Sequence, residues 1–499
     1  MPADPLLQAF AARLAEAPTA PLVVAPHRTA SRQDVDAAAR AAGRALAAPI
    51  GGGAPAAAGE TVALQAANGV AFLAGLLALR RAGCAVLLLD PRTPALERAR
   101  LAGELGARAA LVAGDAWAAG EADWRLVPTG VPGAPPPAGT AIVKLTSGST
   151  GAARGVALGV ETLLADDEAL AATMGLRADD RLLAAIPLSH SYGLSSLAVP
   201  ALVRGLPLVL PERDGPFGPL AAAEAAEATV FPTVPAWLGG LVRLAEPPPL
   251  PPSIRLVLAA GAPLAAETSA RFRERHGRPV HVFYGASECG GICYDRPGGA
   301  AERGTVGEPV AGVTIELLGA CGGGGCGAAE GGEGRVAVRS PAVAAGYLGS
   351  GGREDGERLA GGRYLTDDLA AWRGGELALV GRLNDLINVK GKKVNPREVE
   401  QVLAGHAAIE EVVVTAAAGE AREPVVRAVI ACRPGSLSPE EVVRWCRQRL
   451  AEHKVPRSVL LVDELPHTGR GKLDRSALAG IAPRERLEAA AAPEGPAAR

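Results

Sequence analysis

The sequence predicts an α/β fold: a large N-terminal domain of α/β sheets with a small β unit, followed by a small, mobile α+β C-terminal domain. Two observations support this prediction. Short β-type runs alternate with helical stretches over most of the length, and several runs are apolar throughout. Strands covered on both faces by helices have this composition, as in parallel sheets. The alternation of strand and helix is itself typical of α/β folds.

Length and charge narrow the class of protein. The chain has 499 residues, more than a single core usually holds, so we expect more than one domain. A net charge of −2 without a visible basic stripe argues against a nucleic-acid binder. The N-terminal segment lacks the basic region of a signal peptide, and no apolar stretch is long enough to span a bilayer. We therefore expect a cytoplasmic protein without a transmembrane segment.

Apolar runs mark the strands of the large domain, and two longer stretches mark helices. The helix candidates include residues 70–82 and 94–105. The strand candidates are, in chain order, residues 61–67, 85–90, 109–114, 141–145, 181–186, 206–210, 228–232, 255–260 and 280–285. Further along, the runs TIELLG and RVAVRS predict a smaller, more antiparallel β unit.

Two helix N-termini predict the C-terminal domain. Asn395 is followed three residues later by Glu398, and Ser438 repeats this arrangement with Glu441. A capping side chain with a glutamate three residues on is the signature of a helix start. The last residues are rich in Ala, Pro and Glu, which indicates disorder. We place the N-terminal domain at residues 1–381, the C-terminal lid domain at 382–483 and a disordered tail at 484–499.

A glycine- and hydroxyl-rich segment, KLTSGSTGAARGVAL (residues 144–158), overlaps and follows one of the predicted strands. Loops at the carboxyl ends of parallel strands bind ligands in open α/β sheets. Glycines let backbone N–H groups approach a phosphate chain closely, and hydroxyls add further donors. No G-K-[ST] follows the glycines, so the segment is not a Walker A loop. From composition alone, a phosphate cradle and a Ser/Gly-rich surface turn remain equally open.

Three further segments place polar side chains after strands or in loops. VFYGASECGG carries Tyr284, Ser287 and Glu288, RYLTDDLAAW carries Asp368, and LPHTGRGKLDRSAL carries Lys472 between glycines. Taken singly, each segment has an ordinary structural interpretation, as a core tyrosine, a cap or a solvated charge. The order of the segments along the chain is much more specific.

In this order the segments resemble the adenylate-forming superfamily of acyl-CoA synthetases, nonribosomal-peptide adenylation domains and luciferases, over residues 20–480. RRAGCAVLLLDPRTPALER, PLSHSYGL and AAGAPL are similar to further motifs of that superfamily. The resemblance implies that ATP activates a carboxylic acid as acyl-AMP and that a thiol then takes the acyl group.

The resemblance also implies which residues form the site. The ATP- and AMP-binding residues would be Thr146, Ser147, Gly148, Ser149, Thr150, Gly151, Arg154, Tyr284, Gly285, Ser287, Asp368 and Arg382. The catalytic groups would be Lys472, Glu288 and His190, with Mg²⁺ held by Glu288 and Thr150. The acid pocket would contain His190, Ser191, Gly261, Ala262 and Gly285, and Asn384 would be the hinge of the mobile domain.

Three positions depart from the superfamily pattern. Arg154 replaces the usual lysine and keeps the charge, with a larger, forked guanidinium. Asp367 replaces a glycine; if this position needs a positive φ, aspartate tolerates it at a cost of about 1 kcal/mol. Asn384 replaces an aspartate or lysine and stays polar. None of these changes removes a group that the first half-reaction requires.

The acid is predicted to be hydrophobic, either fatty or aryl. Amino-acid-activating members carry an aspartate where this chain has Ser191, and no carboxylate lies between Pro187 and Leu194. A buried ammonium group without a counter-charge is costly, which disfavours α-amino acids. Trp237 either lines the pocket or packs in the core. Small residues on the pocket side would leave room for a long or bulky acyl group: Ala259, Ala260, Gly261, Gly290 and Gly291.

The acceptor stays open at this point, because CoA and the phosphopantetheine arm of an acyl carrier protein present the same thiol. The main prediction is an ATP- and Mg²⁺-dependent acid:CoA ligase. The alternative is an acyl-AMP ligase that loads a carrier protein. A third possibility, an inactive scaffold protein, conflicts with the joint presence of Glu288, Asp368, Arg382 and Lys472.

Overall fold

The computed structural model of the chain describes residues 4–51, 53–131, 133–147, 153–211, 217–319, 332–349, 358–389, 392–418, 424–467, 473–474 and 477–488. The chain divides into two compact units. The first comprises Met1–Ile315, Ala337–Leu365 and Gly375–Leu377, and the second comprises Glu316–Val336, Thr366–Gly374 and Ala378–Arg499. The domain boundary that we place between residues 381 and 382 stays a prediction.

Strands and helices alternate through the first unit, as the sequence predicts, and both kinds of element continue into the second. The strands of the chain are β1 (Pro21–Ala25), β2 (Arg28–Ser31), β3 (Thr61–Ala66), β4 (Ala85–Leu89), β5 (Ala107–Ala113), β6 (Arg125–Pro128), β7 (Ile142–Ser147), β8 (Ala153–Leu158), β9 (Leu182–Leu183), β10 (Leu208–Val209), β11 (Val230–Thr233), β12 (Leu256–Ala259), β13 (His281–Ala286), β14 (Gly290–Tyr294), β15 (Glu308–Pro309), β16 (Thr314–Gly319), β17 (Gly334–Arg339), β18 (Gly346–Leu348), β19 (Leu359–Ala360), β20 (Arg363–Arg373), β21 (Glu376–Arg382), β22 (Ile387–Val389), β23 (Lys392–Val394), β24 (Glu411–Ala418), β25 (Pro424–Ala431), β26 (Ser458–Val462) and β27 (Glu485–Glu488). The helices are α1 (Pro5–Glu16), α2 (Arg32–Leu46), α3 (Val70–Arg81), α4 (Ala95–Glu104), α5 (Val160–Met174), α6 (Ser191–Gly193), α7 (Val199–Arg204), α8 (Gly218–Ala225), α9 (Pro235–Arg243), α10 (Ala266–His276), α11 (Ala300–Arg303), α12 (Pro396–Ala404) and α13 (Pro439–Arg447).

A nine-stranded sheet of the first unit has the strand order β15-β14-β13-β12-β11-β9-β10-β1-β2. Neighbouring strands pair in parallel from β13 to β1. The strands outside this stretch, β14, β15 and β2, pair antiparallel with their neighbours. The parallel pairing predicted from the apolar runs is confirmed here, and the carboxyl ends of these consecutive neighbours point to one edge.

A seven-stranded sheet, β18-β8-β7-β4-β3-β5-β6, completes the main α/β architecture of the first unit. Strands β7, β4, β3 and β5 are parallel, and every residue of β3 and β4 is buried. Strand β8 turns back antiparallel to β7. The glycine-rich segment of the sequence therefore begins at the carboxyl end of a buried parallel strand.

Helix α3 is buried along its length and belongs to the core that the two large sheets share. All its residues from Val70 to Leu79 are buried. Phe72 of this helix lies in one core cluster with Leu64 of β3 and Leu182 of β9. Because apolar residues lie all around α3, the helix is suited to a position with sheets on both sides.

A five-stranded sheet, β16-β17-β20-β19 with β21 paired to β20, contains the strands predicted from TIELLG and RVAVRS. The second unit contains the hairpin β22-β23 and a four-stranded sheet of order β24-β25-β26-β27.

The two predicted N-caps of the second unit are present. The side chain of Asn395 accepts a hydrogen bond from the N–H of Arg397 at the start of α12. At the start of α13, Ser438 and Glu441 satisfy each other's backbone N–H groups in a capping box. Both helices bury apolar residues in the core of the four-stranded sheet.

The prediction of a disordered tail from residue 484 is wrong for its first residues. Glu485–Glu488 form β27, which pairs antiparallel with β26 from Ser458 to Leu461. Leu487 packs against the core of this sheet. An exposed sheet edge can pair with a further strand whatever the average composition of that strand. The prediction of disorder rested on composition and therefore missed this pairing. Residues 489–499 lie outside the described residues.

None of the helices in the described ranges is long and apolar enough to cross a membrane.

Candidate active site

The nine-stranded sheet gathers three of the predicted site segments at one edge. The segments are His190 and Ser191 after β9, Gly261 and Ala262 after β12, and Tyr284, Gly285, Ser287 and Glu288 at the end of β13. Strands β9, β11, β12 and β13 are consecutive parallel neighbours, so their carboxyl ends lie side by side. This edge is where open α/β sheets bind ligands.

The loop that carries His190 is anchored by Asn68, which the sequence analysis did not single out. The Asn68 amide nitrogen donates to the carbonyl oxygens of Ile186 at 2.8 Å and Ala184 at 3.3 Å. Its amide oxygen accepts from the N–H of Leu188 at 2.9 Å. Asn68 follows β3 in the other large sheet, so it fixes the loop after β9 across 120 positions of sequence. An asparagine just past a predicted strand was the only available signal.

The turn after His190 requires a glycine at position 193. A Cβ atom there would lie 2.0 Å from the carbonyl oxygen of Pro187 and 3.1 Å from the Cα atom of Leu188. The N–H of Leu194 donates to the carbonyl oxygen of His190 at 2.7 Å and closes the turn. His190 is half-buried at the N-terminus of α6.

Ser191 and Ser287 connect the predicted acid pocket to the predicted nucleotide site. Their hydroxyl oxygens lie 2.6 Å apart, within hydrogen-bond distance. Ser191 follows β9 and Ser287 follows β13, with β11 and β12 between them in the sheet. The structure therefore brings together two residues to which the sequence resemblance assigned different ligands.

The β13–β14 hairpin presents Tyr284 and Gly285 next to this contact. Tyr284 is half-buried and pairs with Cys293, and a register shift separates it from Gly285. Gly285 is exposed, and a Cβ atom at this position would lie 2.7 Å from the carbonyl oxygen of Gly290. The absence of a side chain thus allows close strand pairing and leaves the backbone of Gly285 accessible.

Glu288 lies in the middle of the β13–β14 turn and has two neighbours that stabilise its charge. The Tyr347 hydroxyl donates to Glu288 Oε1 at 3.3 Å. Burial raises the pKa of the Glu288 carboxyl, whereas the Tyr347 hydrogen bond and the nearby Arg154 guanidinium act in the opposite direction. Sequence analysis predicted Glu288 and Arg154 but missed Tyr347, which lies in a short strand without a motif of its own.

The structure describes the predicted phosphate segment up to Ser147 and again from Ala153. Thr146 pairs with Arg154 in the β7–β8 register, and the Thr146 hydroxyl lies 3.5 Å from the carbonyl oxygen of Arg154. The structure thus places Thr146 and Arg154 together at the end of β7, where Ser147 is the last strand residue. The remaining predicted phosphate ligands lie outside the described residues: Gly148, Ser149, Thr150 and Gly151.

Lys144 is a fully buried cation two residues before Thr146, and in the sequence it was interpreted only as part of an apolar run. Its side chain is among the largest that are fully buried in the described chain. Burial lowers the pKa of Lys144, and the carboxylates of Asp166 and Glu288 act in the opposite direction. Asp166, on α5, is itself buried and accepts from the N–H of Gly291 at 2.9 Å.

Two glycines that we expected to widen the acid pocket, Gly290 and Gly291, instead allow close packing. At Gly290 a Cβ atom would lie 2.2 Å from Asp166 Oδ1, and at Gly291 a Cβ atom would lie 2.6 Å from a methyl carbon of Leu170. Their small size lets the hairpin pack against α5, so it does not enlarge the pocket as predicted. Trp237 packs edge-on into a neighbouring core cluster, in agreement with its core interpretation.

The second unit brings Asp368 and Arg382 together. Arg382 Nε donates to Asp368 Oδ1 at 2.6 Å, which is the neighbourhood that the sequence resemblance implied. The Asp368 side chain is 13% exposed and that of Arg382 is 63% exposed. The N–H of Asp368 donates to the Thr366 hydroxyl at 3.0 Å and holds the carboxylate on β20. Because an ionised carboxylate accepts about four hydrogen bonds, Asp368 can bind a ligand hydroxyl while it pairs with Arg382.

Asp367 does not need the backbone conformation considered for it. It lies within β20, and its carboxylate accepts from Arg335 at 3.2 Å. Glu227 is the one non-glycine residue with a positive φ among those described. The extended backbone at position 367 accommodates an aspartate without strain.

Two other predicted positions of the second unit receive less structural detail. Asn384 belongs to a short 3₁₀ turn at Leu383–Asp385, just after β21, and its role as a hinge stays a prediction. Lys472, the predicted adenylation lysine, lies outside the described residues. The role of Lys472 therefore stays a prediction from the sequence.

Glu288 suits Mg²⁺ better than a metal ion whose ligands all come from protein side chains. Within the described residues, no group of three His, Cys, Asp or Glu side chains is placed to hold a metal ion. Mg²⁺ is commonly bound through one or two carboxylates together with substrate phosphates and water. One half-buried glutamate close to Arg154 of the phosphate segment matches that pattern.

Fold and site together define an α/β enzyme that gathers polar loops at the carboxyl ends of its parallel strands. A family model described as AMP-binding enzyme matches residues 10–348, and one described as AMP-binding enzyme C-terminal domain matches residues 398–472. The chain therefore belongs to the AMP-binding enzyme family. The predicted membership in the adenylate-forming superfamily is confirmed.

Relatives and solved structures agree with this assignment. A feruloyl-CoA synthase from an Amycolatopsis species is 31% identical over 341 residues, covering 66% of this chain and 68% of the relative. A 2-succinylbenzoate–CoA ligase from Geobacillus kaustophilus is 29% identical over 444 residues, covering 85% and 89%. The structure of Bacillus subtilis o-succinylbenzoate CoA synthetase with its acyl-adenylate intermediate is similar with a TM-score of 0.79 at 25% identity, covering 95% of this chain and 98% of that one.

Proposed function

We propose that this chain is an ATP-dependent, AMP-forming ligase that joins a hydrophobic carboxylic acid to the thiol of CoA. The observation that carries the proposal is the 2.6 Å contact between Ser191 and Ser287. An acid held beside Ser191 would have its carboxylate next to the residues proposed for the phosphates of ATP. Two reactants placed side by side in one site react as if at very high concentration.

In the first half-reaction, an oxygen of the acid's carboxylate attacks the α-phosphorus of ATP. The bond from that phosphorus to the bridging oxygen breaks, so that acyl-AMP forms and diphosphate leaves. Two anions approach each other in this step, and cationic groups stabilise the transition state. We assign Arg154 and Lys472 to this task, with Thr146, Ser287 and the glycine-rich segment at residues 147–151 as hydrogen-bond donors to the phosphates.

Glu288 and Thr150 would hold Mg²⁺, which would neutralise charge on the phosphates of ATP and of the leaving diphosphate. Asp368 would accept hydrogen bonds from the ribose hydroxyls, with Arg382 fixing its carboxylate. Tyr284 would stack on the adenine, and the accessible backbone of Gly285 would border both the nucleotide and the acid.

In the second half-reaction, the sulfur of CoA attacks the acyl carbonyl carbon of acyl-AMP and AMP leaves. The resemblance places Lys472 on a mobile domain with its hinge at Asn384. A lysine needed only for the first step can leave with that domain, which opens the site to the thiol. His190 would border the acyl carbonyl during this exchange.

The acid is proposed to be aryl or fatty. Between Pro187 and Leu194 the loop carries no carboxylate to pair with an ammonium group, so an α-amino acid would leave a buried charge uncompensated. The names of the relatives above, feruloyl-CoA synthase and 2-succinylbenzoate–CoA ligase, favour an aryl acid. The five described cysteines are free and buried, as expected in the reducing cytoplasm, where we place the reaction.

A mass-spectrometric assay of the purified chain tests the proposal. ATP, Mg²⁺ and a pool of aryl, fatty and amino acids are supplied with and without CoA. We expect an aryl- or fatty-acyl-CoA that forms only when CoA is present. Acyl-AMP that accumulates and ignores CoA would instead favour transfer to a carrier-protein thiol. No adduct from any acid would refute the ligase.

A pair of lysine variants separates the two half-reactions. Lys472→Ala is expected to abolish formation of acyl-AMP but to keep the transfer of the acyl group from supplied acyl-AMP to CoA. Lys454→Ala is the matched control in the same domain, because Lys454 forms an ion pair with Glu398 at 2.6 Å and has no proposed role. Equal loss of both half-reactions in Lys472→Ala would contradict the assigned role.

A further inference from the structure

Tyr347 lies in β18, a three-residue strand that adds to the edge of the seven-stranded sheet. Strand β18 pairs antiparallel with β8, and Tyr347 is opposite Val156, two residues after Arg154. The register therefore places the tyrosine beside the strand that carries Arg154. Tyr347 is half-buried, so its ring and hydroxyl are held by the surrounding structure.

The side chain of Tyr347 contacts both charged groups proposed for the metal-bound triphosphate. Its hydroxyl donates to Glu288 Oε1 at 3.3 Å. The guanidinium carbon of Arg154 lies over its ring, 5.1 Å from the ring centre, within the range of a cation–π contact. The ring and the hydroxyl of one residue thus address a cation and an anion at the same time.

The segment before β18 supports the same arrangement. The N–H of Ala344 donates to the backbone carbonyl oxygen of Glu288 at 2.7 Å. Segment 344–347 therefore contacts Glu288 through the backbone and through the side chain. Two separate contacts restrict both the position of the Glu288 backbone and the direction of its carboxylate.

We propose that Tyr347 is a positioning residue that aims the Glu288 carboxylate and the Arg154 guanidinium at a metal-bound triphosphate. The inference rests on the proposed function for the identity of the nucleotide. A hydroxyl donor on one carboxylate oxygen leaves the remaining lone pairs for a cation. A guanidinium held on a ring loses less conformational freedom when it meets a phosphate.

Two variants separate the hydroxyl from the ring. Tyr347→Phe removes the donor to Glu288 and keeps the ring under Arg154. Tyr347→Leu removes both. Tyr294→Phe is the matched control, because it deletes a buried tyrosine hydroxyl from the β13–β14 hairpin at a residue without a proposed role in the site. Thermal melting of each variant without ligand reports any loss of folding.

Isothermal titration calorimetry of ATP and of AMP, at several Mg²⁺ concentrations and without acid or thiol, provides the readout. For Tyr347→Phe we expect the Mg²⁺ concentration that half-maximally supports ATP binding to rise about three- to tenfold, which is the effect of one hydrogen bond. AMP binding should not change, because AMP lacks the β- and γ-phosphates. For Tyr347→Leu we expect weaker ATP binding in the absence of Mg²⁺ as well, since Arg154 loses its support.

Four outcomes would overturn the inference. An unchanged Mg²⁺ requirement in Tyr347→Phe would show that the hydroxyl does not position Glu288. Equal weakening of ATP and AMP binding would assign Tyr347 to the fold alone, as would the same change in Tyr294→Phe. Wild-type protein that fails to bind ATP would refute both proposals. If wild type binds ATP and Tyr347→Phe raises the Mg²⁺ requirement as expected, the role of Tyr347 is supported. If no acid is turned over in the same preparation, only the ligase is refuted.

Discussion

The hydroxyl oxygens of Ser191 and Ser287 lie 2.6 Å apart, although 96 positions of sequence separate the two residues. This contact spans two strands of the nine-stranded sheet and joins the loop assigned to the acid with the loop assigned to phosphate. A hydroxyl that is shared in this way has a fixed direction. We expect the direction of the Ser287 hydroxyl to matter most when acid and nucleotide are both bound.

Replacing Ser191 with alanine should therefore lower the rate of acyl-AMP formation. The expected loss in kcat/KM is about three- to tenfold, the effect of one neutral hydrogen bond. Ser191→Thr keeps a hydroxyl and should recover most of the rate. ATP–diphosphate exchange measures this half-reaction directly.

Ser196→Ala is the matched control for this experiment. Ser196 is buried in the helical turn Leu194–Ala198, which follows Ser191. Its hydroxyl makes no hydrogen bond to the described residues, so removal of this hydroxyl should change the rate little. Equal rates for Ser191→Ala and wild type would show that the contact does not serve the reaction.

Asp368 gives a second prediction, for the ribose. Asp368→Asn should raise the KM for ATP about tenfold or more, because hydrogen bonds to a charged group contribute about 1.5–3 kcal/mol. Arg382→Ala should have a smaller effect, since the Arg382 side chain is 63% exposed and exposed ion pairs are weak. Steady-state kinetics with ATP varied at saturating acid gives both values.

The neighbouring carboxylate is the control for Asp368. Asp367→Asn removes a charge from the same strand whose partner is Arg335, and its KM for ATP should stay within about twofold of wild type. A larger change for Asp367→Asn than for Asp368→Asn would contradict the assignment of the ribose to Asp368.

Gly193 gives a third prediction, for the turn that presents His190 and Ser191. Gly193→Ala would place a methyl carbon 2.0 Å from the carbonyl oxygen of Pro187, so the turn must shift. We expect the KM for the acid to rise at least about tenfold, since a small misplacement of a positioning loop is costly. The variant is assayed with the acid varied at saturating ATP.

Gly240→Ala is the control for the turn. Gly240 lies in α9, and a methyl carbon added there would have open space around it, so alanine should stabilise that helix by about 0.5–1 kcal/mol and leave the KM for the acid unchanged. Unchanged acid binding in Gly193→Ala would show that the turn adapts.

Asp167 gives a fourth prediction, for the pH dependence of stability. Burial raises the pKa of Asp167 from its ordinary value of 3.8 to about 6, although Arg204 acts in the opposite direction. The folded chain therefore binds a proton at Asp167 more readily than the unfolded chain does. The stabilisation from this proton is fully present below the ordinary pKa of 3.8 and is lost as the pH rises through about 6.

Asp167→Asn should remove this dependence. Wild type should gain about 1–2 kcal/mol relative to the variant between about pH 7 and pH 5, because each pKa unit corresponds to about 1.4 kcal/mol. Thermal melting of both proteins across this range measures the difference. Glu168→Gln is the control, since this exposed partner of Arg204 should change stability little at any pH. Parallel pH profiles for wild type and Asp167→Asn would contradict the prediction.

Much of the fold is predictable because short segments determine it. The helix predicted at residues 70–82 is α3 (Val70–Arg81), and the N-caps predicted at Asn395 and Ser438 are present. Periodicity and capping depend on neighbours within a few turns of chain, and these are visible in the sequence. The disorder predicted for the tail from residue 484 is wrong at its start, because β27 forms by pairing with β26. This pairing joins residues that are distant in sequence, so a local pattern does not show it.

The candidate site is predictable in its set of residues and not in its contacts. The motifs supplied Ser191, Ser287, Glu288 and Arg154, and the resemblance to adenylate-forming enzymes supplied their roles. Residues without a motif were missed. Asn68 holds the loop after β9 through backbone carbonyl groups of that loop. Tyr347 lies in a short strand at a sheet edge, and Lys144 lies inside an apolar run.

Local chemistry along the chain established the α/β class, the ends of the elements and the family. Folding alone determined that Ser191 meets Ser287, that Tyr347 reaches both Glu288 and Arg154, and that small residues at positions 290 and 291 serve packing against α5. The physical reason is the strand order: β9 pairs with β11 and β10, and β18 pairs with β8. Neighbours in a sheet with crossover connections are distant in sequence, so no local pattern encodes which side chains meet at its edge.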